Sequence, residues 1–208
     1  MKFLVDASET KALDGSFPDI VVTGQLLTPL TRYRRWHTTF AIDNGAFSKF
    51  NRKAWESLLR RESEHRGNCL FVCCPDVVGS ARRTNELFKV YCYLIRSDWK
   101  VAYVAQDGSE DMDIPWDLCN CLFLGGRDPW KDSQAAQDIV KTALALGKHV
   151  HIGRVNAVDR YILYAKLGAH TCDGSGISRY PKAKLPAIET AARELFHLLE
   201  NVDERTEN

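Results

Sequence analysis

Short apolar runs alternate with longer amphipathic stretches along the chain. The runs at residues 2–5, 20–23, 38–42, 69–74, 101–105 and 121–124 have the length of strands, and two more bracket the stretch 149–176, HVHIGRVNAVDRYILYAKLGAHTCDGSG. CLFVCC at 69–74 is continuous rather than alternating, as expected of a strand buried on both faces. Between the runs, apolar residues recur at helical spacing. Trp55, Leu58 and Leu59 mark a helix over 52–64, and Leu87, Tyr91, Leu94 and Ile95 one over 80–95. Ala136, Ile139, Val140 and Ala143 do so over 133–146, and Ile188, Ala191, Leu195 and Leu199 over 186–201. In 149–176, Val158, Tyr161, Ile162 and Ala165 fall at i, i+3, i+4 and i+7, giving a strand-helix-strand unit.

Eight short buried strands, most followed by a helix, predict an α/β fold: a compact (β/α)8 TIM-type barrel with some helices shortened. A single barrel domain over 1–202 and a polar tail at 203–208 account for the 208 residues. That length is small for the fold, so the helices between strands one and two and between five and six are expected to shrink to loops. The alternative is an open doubly wound sheet, which differs in whether strand eight closes onto strand one.

Composition narrows the function classes. Lys plus Arg number 28 against 27 Asp plus Glu, so no global basic field marks a nucleic-acid binder, and such a surface has to be a local patch. Arg32, Arg34 and Arg35 beside Tyr33 and Trp36 form one candidate, read equally as a solvated amphipathic helix. The opening MKFLVDASETK has no apolar h-region, and no run approaches the ~18 apolar residues of a membrane span. The seven cysteines are odd in number and several lie within strand-like runs, as reduced core thiols do. Cys119 and Cys121 have no second pair to complete a zinc site. The expectation is a cytoplasmic globular domain without metal or cofactor.

The chemistry-bearing residues stand at strand ends. Asp43, Asp76, Gln106, Gly125 with Gly126, Gly153 with Arg154, and Asp173 each close an apolar run. In a barrel these ends share one rim, where catalytic groups of this fold gather. Each position alone reads as a cap, turn or core residue; their convergence favours a site. Two carboxylates facing across a pocket suit glycosyl chemistry, one as nucleophile and one as acid/base. Asp76 and Gln106 suit the edge of a guanine-like heterocycle, the glycines leave a flat slot, and Phe47 offers a stacking face.

On these motifs the chain resembles the tRNA-guanine transglycosylase superfamily, in a shortened form similar to the paralogues that insert 7-deazaguanine bases into DNA (DpdA-like). AIDNGAF, CCPDVVG, VAYVAQDG, LFLGG and the 149–176 unit carry the resemblance. It implies Asp173 as nucleophile, Asp43 as acid/base, and Phe47, Asp76, Gln106, Gly125, Gly126 and Gly153 around the base. Asp107 stands where the family has a glycine, and Cys172 is the single cysteine in the last 87 residues. The tRNA enzymes carry a Cys-rich zinc site after the nucleophile, so this departure favours DNA over tRNA. The implied reaction is exchange of guanine for a 7-deazaguanine base such as preQ0, with no cofactor. Arg32, Arg34, Arg35, Arg154, Arg179, Lys182 and Lys184 are candidate phosphate contacts, each equally an ordinary surface cation. A homo-oligomer or a partner subunit stays open. So do three rival readings: an N-glycosidase using water, a non-catalytic nucleic-acid-binding subunit, and a barrel enzyme whose glycines cradle a phosphate ester.

Overall fold

The computed structural model describes residues 1–7, 17–29 and 34–206. Its eight parallel strands form a closed barrel in sequence order: β1 Lys2–Val5, β2 Val22–Leu27, β3 Phe40–Ile42, β4 Cys69–Cys73, β5 Val101–Ala105, β6 Cys121–Leu124, β7 His149–Ile152 and β8 Thr171–Cys172. Closure is made by β8 lying along β1, with Thr171 opposite Lys2 and Cys172 opposite Phe3. The fold is therefore the (β/α)8 barrel, and the open sheet is excluded.

The continuous apolar runs are explained by two separate cores. Alternate residues such as Leu4, Leu26, Phe71, Val104 and Phe123 fill the lumen. Their neighbours, Phe3, Leu27, Val72, Tyr103 and Leu122 among them, pack outward against the helices. Each strand thus buries both faces. The seven cysteines are free and buried in or against these layers, and burial pushes their thiols up.

The helices follow the periodicity with informative exceptions. Helix α1, Arg52–Arg61, buries Trp55, Leu58 and Leu59, and the side chain of Asn51 caps it by accepting from the Ala54 N–H at 3.1 Å. Helix α2, Ala81–Ile95, buries Ile95 as expected and packs Tyr91 partly against the core, but its buried stripe runs through Ala81, Phe88 and Cys92, and Leu94 is 55% exposed. The small and polar residues Thr84 and Asn85 belong to its buried stripe, and a reading that followed Leu and Tyr missed them. The β6 strand is followed by α3, Asp128–Lys131, and by α4, Gln134–Ala145, which buries the four predicted residues. Helix α5, Val158–Leu167, links β7 to β8 and ends at Gly168 in left-handed backbone (φ 96°). After β8 come α6, Ser175–Arg179, and α7, Pro181–Thr206. Pro186, expected to open the last helix, lies inside it near the start, where its missing N–H costs one bond.

The β5–β6 connection shrinks as expected, to two 3-10 turns at Ser109–Asp111 and Trp116–Leu118. The β2 strand runs four residues past its predicted end because Gln25, a polar interruption in the sequence, is a satisfied buried amide. Its Nε2 donates to the carbonyls of Ala7 (3.4 Å) and Arg34 (3.3 Å), and its Oε1 accepts from the Trp36 N–H (2.9 Å). The amphipathic-helix reading of the patch around Arg34 and Arg35 does not hold where the chain is described, since Leu26 and Leu27 are strand and residues 34–36 are non-helical; Arg32 and Tyr33 lie outside the described residues. Among the described residues no helix is long and apolar enough to cross a membrane.

The two cores predict a contrast. Phe71→Ala, which empties the lumen, is expected to cost about 3–5 kcal/mol, whereas Leu94→Ala on the outer face of α2 should cost less than about 0.5 kcal/mol. Urea unfolding of both variants measures this, and a large loss at Leu94 would contradict the orientation of α2.

Candidate active site

The rim at the carboxyl ends of the strands holds a small open pocket of about 70 Å³. Asp43, Phe47, Asp76, Gln106, Gly125, Gly126, Gly153, Arg154 and Asp173 all line it, together with Asn44, Val78, Val104 and Phe123. The residues singled out at separate strand ends thus converge on one cavity. Arg34 is exposed on the stretch leading into β3, and Lys182 and Lys184 are exposed on α7. Arg35 is held by Glu62 at 3.0 Å, at the finishing end of α1, and is not brought to the pocket. Arg179 borders a larger adjoining cavity of about 820 Å³, which also reaches Asp43, Phe47, Arg154 and Asp173. The two carboxylates stand where the cavities meet.

A network of amides fixes one wall. Both oxygens of Asp76 accept from side-chain amides: Oδ1 from Asn44 Nδ2 at 2.8 Å and Oδ2 from Gln106 Nε2 at 2.6 Å. Gln106 Oε1 accepts the backbone N–H groups of Gly79 (2.9 Å) and Gly126 (3.0 Å). Asn44 also donates to the Cys74 carbonyl at 2.6 Å, and its Oδ1 accepts the Ala46 N–H at 2.6 Å. The carboxamide of Gln106 is therefore engaged with the protein, holding Asp76 and the β6 loop. Asn44 was passed over because it reads as a turn residue beside Asp43; its burial at 1% exposure is a tertiary property.

The glycines are required by close contacts. A Cβ on Gly125 would stand 2.7 Å from Gln106 Nε2, and one on Gly153 would stand 2.6 Å from Phe123. Gly126 has φ 74°, and a side chain there would collide with Trp130. Asp107, in the position where the resemblance expects glycine, accepts from the backbone N–H (2.9 Å) and Nε (3.1 Å) of Arg127 and ties the β5 and β6 loops together.

Across the pocket, Asp173 Oδ1 lies 3.1 Å from His151 Nε2 and accepts the Arg154 backbone N–H at 3.2 Å. Arg154 adopts φ 57°, rare for a residue with a side chain, and its guanidinium donates to the Gly126 carbonyl. The same guanidinium lies 4.7 Å from the centroid of the Phe47 ring. Phe47 is 67% exposed at the mouth, with Arg154 against it. His151 escaped the sequence reading; a signal was present, since His149 and His151 sit two apart on a strand and so face the same side.

The electrostatics raise two of the carboxylates. Burial first, then the charges of Asp173 and Asp76, raise the Asp43 carboxyl to about 7, against the backbone N–H groups of Asn44 and Gly45 that favour its ionised form. Asp76 is also raised, by burial, and the two amides oppose the rise. Asp43 can therefore carry a proton near neutral pH, which a carboxyl in water cannot. Among the described residues no three His, Cys, Asp or Glu side chains gather as a metal site. No family model matches the chain, and no curated protein matches it.

Asp43 has a stability signature. Its folded pKa lies above that of the unfolded chain, so the native state holds the proton more tightly and loses stability as pH rises from about 4 through about 7. Asp43→Asn, which keeps an acceptor for the two backbone donors, is expected to be more stable than wild type by roughly 1–3 kcal/mol at pH 8. The difference should vanish below about pH 4. Denaturant melts across this range check it, and a pH-independent difference would contradict the assignment.

Proposed function

We propose that the protein is a pentosyltransferase that exchanges guanine in nucleic acid, DNA in the first place, for a 7-deazaguanine base such as preQ0. The observation that carries this reading is that Asp43 and Asp173 line one pocket, and that burial and the charges of Asp173 and Asp76 raise the Asp43 carboxyl to about 7. Groups of this kind divide into acid and nucleophile. The slot between Gly125, Gly126 and Gly153, closed by Phe123 and with Asp76 on its wall, suits a flat heterocycle bearing N–H donors. The sequence resemblance points the same way.

In this reading Asp173 attacks C1′ of the target nucleotide as the C1′–N9 bond breaks, and the bonding pair leaves with guanine. Asp43 delivers the proton that neutralises the departing base. The incoming base binds in the same slot and gives its N9 proton to Asp43; N9 then attacks C1′ and releases Asp173. The adjoining cavity, bordered by Arg154 and Arg179, takes the sugar and flanking backbone. A target in duplex DNA has to leave the base stack to reach the pocket.

The test is incorporation of labelled guanine or preQ0 into duplex DNA, single-stranded DNA and tRNA. Label is expected in DNA and absent with Asp173→Ala. Because expulsion needs protonated Asp43, kcat/KM for the nucleic acid should fall about tenfold per pH unit above about 7. Asp43→Asn should lower the rate at least about 10²-fold and remove that dependence. Label in tRNA alone would move the substrate. An abasic product formed without added base would make the protein a glycosidase, and binding without exchange or adduct would make it a non-catalytic subunit.

A further inference from the structure

Beneath the pocket the barrel lumen contains a polar chain that the reaction scheme above does not use. His149 and His151 project inward from β7 and Thr171 from β8. His149 Nε2 lies 2.8 Å from Thr171 Oγ1, which lies 2.9 Å from His151 Nδ1; His151 Nε2 lies 3.1 Å from Asp173 Oδ1. His151 is fully buried, with its ring 4.6 Å from that of Phe123 and 5.0 Å from that of Phe71.

The direction of this chain follows from its upper end. A carboxylate only accepts, so the proton on the facing nitrogen of His151 is on Nε2. In the neutral ring Nδ1 is then bare, and the Thr171 hydroxyl donates to it. The remaining lone pairs of that hydroxyl accept from His149 Nε2–H. Burial and the neighbouring His151 and His170 pull His149 down to about 3, so it stays neutral and completes the sequence. Every polar atom between His149 Nε2 and Asp173 is satisfied by one arrangement of protons.

We propose that His151 is a positioning residue for Asp173: its Nε2–H, oriented by Thr171, occupies Oδ1 together with the Arg154 backbone N–H and presents Oδ2 as the attacking oxygen. The proposal rests on the assignment of Asp173 as nucleophile. A carboxylate free to rotate offers either oxygen in many orientations, while one pinned at Oδ1 presents the other toward a fixed anomeric carbon. Displacement of a reacting atom by about 1 Å costs on the order of 10²-fold in rate. The histidine touches neither base nor sugar, so its effect belongs in kcat and not in base affinity.

The first measurement uses the unaltered protein. In ¹⁵N-histidine-labelled full chain, long-range ¹H–¹⁵N correlations are expected to give His151 as the Nε2–H tautomer, a signal that Asp173→Ala shifts. A His151 protonated on Nδ1 with bare Nε2 would overturn the proposal, whatever the enzyme does. The second measurement is base exchange by His151→Phe, which keeps the ring's shape between Phe71 and Phe123, and by His151→Gln, which keeps a donor toward Asp173. His151→Phe is expected to lower kcat about 10²-fold with KM for the base within about twofold, and His151→Gln to restore most of the loss. Equal turnover by wild type and His151→Phe would refute the positioning role. Exchange absent even from wild type, with the Nε2–H tautomer in place, would instead count against the transferase reading and leave the hydrogen bond standing.

Discussion

The site depends on how a buried carboxylate is kept in the rim. An unpaired carboxylate at the place of Asp76 would cost several kcal/mol in desolvation. Two side-chain amides, from Asn44 after β3 and Gln106 after β5, donate to its two oxygens. Gln106 then passes the constraint on by accepting from Gly79 and Gly126. Four successive strand ends are thereby tied through one carboxylate and two amides. The slot between the glycine backbones has a definite width because its wall is cross-braced in this way.

The same economy sets the charge pattern. Asp43 gains from backbone donors but is opposed by burial and by two neighbouring carboxylates, and the balance leaves it poised near neutral pH. Asp173 has its own partners on the opposite wall, in His151 and the Arg154 backbone. Arg154 joins the two halves: its backbone N–H meets Asp173, its guanidinium meets the Gly126 carbonyl, and the same group faces the Phe47 ring. Its left-handed backbone is a local cost of about 1–3 kcal/mol, sustained by those three contacts.

Much of this was legible in the residues and some was not. Strand ends punctuated by Asp, Gln and Gly announced the rim, because a parallel barrel puts every carboxyl end on one side. The β5 and β6 strands coincide with their apolar runs, since continuous runs have no competing period. The β2 strand did not, because burial of Gln25 depends on carbonyls of Ala7 and Arg34 that no local pattern reveals. The face of α2 was misplaced at Leu94 because its contact stripe uses Ala81, Thr84, Asn85 and Cys92, residues whose burial is set by how closely the helix approaches β5. Asn44 and His151 were missed for a related reason: each acts through a partner distant in sequence, at Asp76 and Asp173.

The cysteines give the fold an internal clock. Their thiols are sealed into the staves and helices, at Cys69 and Cys73 on β4, Cys121 on β6, Cys172 on β8 and Cys92 on α2, and desolvation suppresses the thiolate that an electrophile needs. A thiol reagent can therefore reach each position only when its surroundings open. Alkylation followed residue by residue would record the order in which the barrel breathes, without any engineered probe, and would show whether the seam between β8 and β1 parts before the wall that carries the amides.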